Sequence, residues 1–109
     1  MIKIYNKLVR DKIPEIIKNN GGTPKIRILE DGEYKLELKK KLSEECREVI
    51  DANGSEDMLE ELADVLEVIK ALSELEKKTL EDIILISNQR VLKRGAFNDK
   101  IYLESVEEN

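Results

Sequence analysis

The chain contains no histidine and no tryptophan, and it has one cysteine, Cys46, among its 109 residues. Without histidine it cannot build a serine–histidine or cysteine–histidine nucleophile, or a zinc or copper site with imidazole ligands. One cysteine excludes an internal disulfide bond, and Cys46 borders an apolar helix face, which favours a packed thiol over a nucleophile. Acid–base chemistry must therefore use Asp, Glu, Lys or Tyr side chains, or water bound to a metal ion.

Long apolar runs and an excess of positive charge are also missing. No segment is long enough to span a bilayer, and the first residues carry too many charges for a signal peptide. The net charge is −5, with 24 acidic against 19 basic residues, which argues against nucleic-acid binding. The single cysteine is typical of a reducing compartment. We therefore expect one cytoplasmic domain, residues 1–109, that binds neither membranes nor nucleic acids and has a modest core.

What the chain does have is a set of acids at helical spacing. Four carboxylates form the pattern ExxE followed by ExxD: Glu45, Glu48, Glu61 and Asp64. Residues 36–50 and 56–75 are predicted helices. In the break between them, Asn53-Gly54 ends the first helix and Ser55 caps the second. So short a break predicts that the two helices are antiparallel neighbours.

The register of this hairpin places the four acids on two levels. In an antiparallel pair the numbers of facing residues add to a constant, so Glu45 lies level with Asp64. Glu48 then lies level with Glu61, about 4.5 Å further along the axis at about 1.5 Å of rise per residue. At about 100° per residue these acids interrupt the apolar faces of both helices, whereas Glu67 points to solvent. Because unpaired carboxylates are costly at such positions, we expect a bound cation. Oxygen ligands alone favour Mg²⁺, with Mn²⁺ as a substitute.

A purely solvated acidic face is the alternative interpretation of the same residues. Charged residues make up 39% of the chain, and acids on helices usually face water. Lys41 can also pair with Glu45 across one helical turn, although this order of charges is the weaker one. A solvated face does not explain why acids interrupt two apolar faces at matched heights, and this favours the metal site.

The segments before the hairpin are shorter. Residues 11–20 predict a short helix with Pro14 in its first turn, ended by a pair of glycines. Residues 25–29 alternate in hydrophobicity and predict a short strand, which can pair with residues 101–103 to form a small two-stranded sheet. Asp31 is the predicted cap of the first long helix.

A third long helix follows the hairpin and is apolar on several sides. Thr79 opens it with a capping box to Asp82, and Gly95 ends it. A helix that is apolar on several sides is buried on several sides. In so short a chain this predicts a second copy, and the fold class that we expect is mainly α, with a four-helix-type bundle formed on oligomerisation.

These motifs carry a resemblance to a known family. KLSEECRE at 41–48, followed by EELADVLEVI at 60–69, resembles the MazG-like all-α nucleoside triphosphate pyrophosphohydrolases, whose signature is ExxE, a spacer and ExxD. YNKLVRDKIPEII at 5–17 and RGAFNDKIYL at 94–103 resemble a phosphoribosyl-ATP-pyrophosphohydrolase-like subgroup. The resemblance therefore extends over nearly the whole chain.

The resemblance implies Mg²⁺-dependent cleavage of a nucleotide between its α and β phosphates. The apolar faces described above lead us to expect a homodimer or homotetramer. By matching positions, the resemblance implies four metal ligands: Glu45, Glu48, Glu61 and Asp64. Glu45, the most enclosed of them, is the predicted general base. Cationic and amide side chains of the flanking motifs are the candidate substrate-binding residues: Lys7, Arg10, Lys12, Arg94, Asn98 and Lys100. Two alternatives stay open: a module that binds Mg²⁺-nucleotide without turnover, and a helical dimerisation module.

Overall fold

The computed structural model describes residues 1–108, so that Asn109, the last residue of the predicted domain, lies outside the described residues. The described chain is mainly α-helical, as predicted. Its four helices are α1 (Ile13–Asn19), α2 (Asp31–Asp51), α3 (Ser55–Leu75) and α4 (Leu80–Arg94). None of these helices is long and apolar enough to cross a membrane.

Helices α2 and α3 form the main packed unit. They contact each other extensively and are joined by only three residues, 52–54, so that they run antiparallel. Leu38 on α2 and Val68 on α3 are the buried apolar residues of this interface, 4% and 7% exposed. At the end away from the connection, the Lys35 ammonium lies 2.6 Å from a Glu76 carboxylate oxygen. The residue numbers of this pair add to nearly the same value as those of Glu45 and Asp64. The pair therefore agrees with the predicted register of the two antiparallel helices.

The connection between α2 and α3 differs from its prediction. Ser55 is not the cap: Gly54 holds the N-cap position with φ of 85°, and Ser55 is the first helical residue. Gly54 is suited to this place because glycine adopts positive φ without a steric penalty. The Asp57 carboxylate instead accepts a hydrogen bond from the Asn53 backbone N–H at 3.1 Å. A side chain in the first turn thus closes the connection.

Among the other helix ends, those of α4 agree with the prediction, whereas the start of α2 does not. In α4 the predicted capping box is confirmed, since Asp82 N–H donates to Thr79 Oγ1 at 3.1 Å and Thr79 N–H donates to the Asp82 carboxylate at 2.9 Å. Gly95 ends α4 with φ of 82°, also as predicted. Helix α2 begins at Asp31 itself, because Glu30 takes the extended N-cap conformation. The prediction of Asp31 as cap is therefore wrong by one residue.

The predicted two-stranded sheet is absent from residues 1–108. Ile26 and Ile28, two apolar residues of the predicted strand, are 61% and 87% exposed. The guanidinium of Arg27 instead bonds both carboxylate oxygens of Glu33 at 2.9 and 2.6 Å, which ties this segment to the start of α2. An isolated pair of short strands is only marginally stable in water. Alternating hydrophobicity does not by itself provide a third strand or a helix to cover the apolar side.

Helix α4 and the flanking segments cover little of the hairpin. Helix α4 contacts α3 much less than α2 does, and its side chains beyond the first turns are exposed. The radius of gyration is 18.8 Å, whereas about 13 Å is expected for a compact chain of this length. The many-sided apolar character of α4 is therefore not satisfied within one copy.

Candidate metal centre

Three of the four predicted acids meet between α2 and α3. Glu45, Glu61 and Asp64 each present a carboxylate oxygen, and these oxygens lie within 4.8 Å of one another. We call these three residues the acid cluster. All three are partly buried. The cluster joins one acid from α2 to two from α3, as the predicted level of Glu45 with Asp64 requires.

The positions of these acids follow from helix geometry. Glu61 and Asp64 are three residues apart, and Val68 follows four residues after Asp64, so that all three lie on one side of α3. Glu45 stands two turns after the buried Leu38 on α2. The acid cluster therefore interrupts the same faces that form the helix–helix interface, as the sequence predicted.

Both its surroundings and the neighbouring acids act on the pKa of Glu61. The pKa of the Glu61 carboxyl is raised above its ordinary value, first because its surroundings remove water from the charged form. The next cause is the negative charge of Glu48, followed by those of Asp57, Asp64 and Glu45. No cation is among the causes that act on this pKa, and a bound cation would offset the repulsion between the acids.

Glu48, the fourth predicted ligand, stands apart from the other three. Its side chain is exposed, and it does not belong to the group of oxygens within 4.8 Å. Its charge nevertheless has a larger effect on Glu61 than any other neighbouring acid. This agrees with the predicted level of Glu48 with Glu61, and the role of Glu48 as a ligand stays a prediction.

Two cations border the acid cluster. Nη2 of Arg10 donates to Oδ1 of Asp64 at 2.8 Å, across 54 residues of sequence. Nζ of Lys41 lies 4.0 Å from Oε1 of Glu45 and 3.5 Å from Oε2 of Glu44. The Lys41–Glu45 pair of the solvated-face interpretation is thus at the limit of an ion pair. Sequence reasoning selected Arg10 as a phosphate ligand but missed its contact with Asp64, because no spacing rule joins residues so far apart.

The remaining candidate substrate-binding residues are all exposed: Lys7, Lys12, Arg94, Asn98 and Lys100. None of the hydrogen bonds and ion pairs within residues 1–108 joins them to the acid cluster. Arg94 ends α4, and Asn98 and Lys100 follow it in an irregular segment. Their roles stay predictions.

The donor set of the cluster fits a hard divalent cation. Three carboxylate oxygens, with neither imidazole nor thiolate, are the chemistry that Mg²⁺ and Mn²⁺ prefer. Carboxylates also supply the negative charge that offsets dehydration of the ion. Glu45, Glu61 and Asp64 are the residues that could hold it, with Glu48 beside them.

Comparison with known proteins adds one partial relative. An uncharacterized protein of Mycolicibacterium smegmatis (strain ATCC 700084 / mc(2)155) is 48% identical over 54 residues, which cover 50% of this chain and 55% of the relative. The match thus covers about half the length of each. No protein-family model matches the chain, and no solved structure is detectably similar to it.

Proposed function

We propose that this chain is a Mg²⁺-dependent nucleotide pyrophosphohydrolase of the MazG-like superfamily. It hydrolyses a nucleoside triphosphate or a related nucleotide between the α and β phosphates, releasing a monophosphate and pyrophosphate. The observation that carries the proposal is the acid cluster, whose three carboxylate oxygens lie within 4.8 Å between two packed helices. The ExxE and ExxD motifs and the flanking segments supply the substrate class, through their resemblance to that superfamily. We place this activity in the cytoplasm, where it would remove unwanted nucleotides.

Each residue of the cluster has a part in this proposal. Glu61 and Asp64 hold the ion together with Glu45 and Glu48, and Mn²⁺ can replace Mg²⁺. When bound, the ion supplies Lewis acidity toward the phosphate oxygens and lowers the pKa of a coordinated water. Glu45 accepts the proton of the attacking water, since its side chain is only 18% exposed and is held between the helices.

Phosphate charge sets a second requirement. A triphosphate brings about four negative charges to a site that already holds several carboxylates, so cations must approach from the protein as well. Arg10 already reaches Asp64, and we assign it to the phosphates. Lys7, Lys12, Arg94 and Lys100 are exposed bases that can serve the same purpose, and Asn98 can hydrogen-bond the sugar or base.

We further propose that the active form is a homodimer or homotetramer. The chain exposes 10310 Å², whereas a compact monomer of 12.6 kDa exposes about 6,200 Å². The excess of about 4,000 Å² is larger than the roughly 1,000–2,500 Å² that each partner of a permanent dimer contributes. A second copy is the occupant that the area favours.

The surface for that copy is a second apolar face of α3 together with α4. Leu59, Leu62 and Leu66 follow a spacing of three and four residues and are 65%, 47% and 47% exposed. Leu85 and Leu92 of α4 are 60% and 88% exposed. Exposed apolar stripes on two helices are complementary to the same stripes on a two-fold-related copy, which gives a four-helix-type bundle.

A helical dimerisation module without catalysis is the second candidate, and the exposed leucines are the observation that favours it. It does not account for three converging carboxylates within the helix–helix interface. A module that binds Mg²⁺-nucleotide without turnover accounts for the acids but predicts no product.

Product analysis separates these candidates. The chain is incubated with canonical, deoxy and modified nucleoside triphosphates and Mg²⁺, and the products are resolved by ion-exchange chromatography, with chelator as the control. We expect monophosphate and pyrophosphate, and neither with chelator. Diphosphate and orthophosphate would contradict the proposed bond, whereas nucleotide binding without products would favour the non-catalytic module.

A further inference from the structure

The Arg10 side chain lies where a metal ion would compete with it. Its Nη2 donates to Oδ1 of Asp64 at 2.8 Å, and Asp64 is one of the three acids whose oxygens converge. The guanidinium therefore partly neutralises an acid cluster that is otherwise repulsive. A divalent ion on Asp64 would bring a second cation to the same carboxylate.

The backbone that carries Arg10 is anchored, whereas its side chain is exposed. Leu8 and Val9, immediately before it, are partly buried. The Arg10 carbonyl accepts a hydrogen bond from the Ile13 N–H at 3.1 Å at the start of α1. The Arg10 side chain itself is 59% exposed. It can therefore change partner by rotating its own bonds, without unfolding the segment.

The Arg10–Asp64 contact is weak enough for Arg10 to exchange it for another partner. Ion pairs between exposed side chains contribute little, and the Asp64 side chain is itself 41% exposed. A divalent ion with three carboxylates is a stronger partner than a single guanidinium with one. A released guanidinium matches phosphate geometry, because its planar fork donates two parallel hydrogen bonds to two oxygens.

We propose that Arg10 exchanges partners: it is held by Asp64 in the metal-free protein, and by a phosphate of the substrate once the ion is bound. This inference rests on the proposed metal site and adds a binding order to it. Arg10 then weakens binding of the ion alone and strengthens binding of phosphate after the ion. The two effects have opposite signs, which a merely structural ion pair would not produce.

The first measurement is Mn²⁺ binding without nucleotide, by isothermal titration calorimetry. Arg10→Gln removes the competing charge, so we expect Mn²⁺ to bind about two- to fivefold more tightly, the range expected when one exposed ion pair is lost. Arg27→Gln is the matched control, because Arg27 forms an exposed pair with Glu33 that involves none of the three acids. This control should bind Mn²⁺ as the unmodified chain does.

The second measurement uses inorganic tripolyphosphate and protein saturated with Mn²⁺. Arg10→Gln should bind tripolyphosphate about tenfold more weakly or worse, since a charge-assisted contact is lost. Arg10→Lys keeps the charge but not the fork, so it should keep a Mn²⁺ affinity close to that of the unmodified chain while binding tripolyphosphate more weakly. Arg27→Gln should again have no effect.

The outcomes distinguish this inference from the proposed function. Unchanged or weaker Mn²⁺ binding by Arg10→Gln would overturn the exchange, and so would unchanged tripolyphosphate binding, even if the unmodified chain hydrolyses nucleotides. Failure of the unmodified chain to bind Mn²⁺ would overturn the metal site and the exchange together. Circular dichroism checks that each variant is folded.

Discussion

The α2–α3 interface and the surface formed by α4 and the second face of α3 are both rich in leucine and valine, yet they differ in burial. In the first, Leu38 and Val68 are at most 7% exposed, and the acid cluster is inserted between them and the helix connection. In the second, Leu92 is 88% exposed and Leu62 is 47% exposed. Apolar spacing is similar in both regions, so spacing alone does not distinguish an internal interface from an external one.

The distinction lies in what accompanies the apolar residues. The α2–α3 interface contains acids at matched heights, and their oxygens converge where a cation could bind. The second face of α3 has no acid within its stripe of Leu59, Leu62 and Leu66. It can bury apolar area but offers no ligand for an ion. We therefore propose ion binding for the first region and self-association for the second.

The largest effect is expected on self-association. Light scattering at micromolar concentration should give at least twice the chain mass of 12.6 kDa. Leu62→Lys should weaken association about a thousandfold, because each copy loses about 1.5–3 kcal/mol of leucine burial and must desolvate an ammonium. Analytical ultracentrifugation measures this shift.

Glu60→Lys is the control for that variant, since Glu60 is exposed and lies on the opposite side of α3 from Leu62. It should associate like the unmodified chain. If the unmodified chain is a clean monomer, the assignment of the second face is wrong.

The next effect concerns the catalysis that we propose for the first region. Asp64→Asn keeps the shape of the side chain but removes a charge from the acid cluster, so we expect turnover to fall by about a hundredfold or more. Glu67→Gln changes an exposed acid one turn away in α3 and should be nearly silent in the same assay. Equal losses in the two variants would show that the helical register is wrong.

The sequence predicted the first region well because its information is local and repeated. The helix periods and the short connection determine the register, and Glu45 meets Asp64 as expected. The prediction of the N-cap of α3, a position for which neighbouring residues compete, was wrong. Gly54 rather than Ser55 holds the N-cap position of α3, and the Asp57 carboxylate accepts a hydrogen bond from the Asn53 N–H across the connection.

Longer-range features were predicted less well. The alternation at residues 25–29 describes one side of a strand but does not provide the neighbours that a sheet needs, and the structure forms no strand among residues 1–108. The contact of Arg10 with Asp64 joins two elements that no periodicity relates. Such contacts depend on how the N-terminal segment packs, which the sequence pattern does not encode.

The smallest effect is expected at the capping box of α4. Thr79→Ala removes the acceptor for the Asp82 N–H. The free energy of unfolding should therefore fall by about 1 kcal/mol, and the melting temperature by roughly 5 °C. The pKa of Asp82 is lowered, first by a hydrogen bond from the Thr79 backbone and then by one from its side chain. A lowered folded-state pKa means that Asp82 stabilises α4 above its ordinary pKa of 3.8 and loses this effect as the pH falls further. Thermal melts between pH 7 and pH 3 measure both effects.

Thermal unfolding of the unmodified chain with and without Mg²⁺ tests most directly whether the acids between α2 and α3 form a metal site. An ion that binds only the folded state stabilises it by about 2.7 kcal/mol at one hundred times its dissociation constant, which is a rise of roughly 10 °C or more. We expect this rise in the unmodified chain and in Glu67→Gln, and its loss in Glu61→Gln. An unchanged melting temperature across millimolar Mg²⁺, in a chain whose helical content is intact, would contradict the metal site.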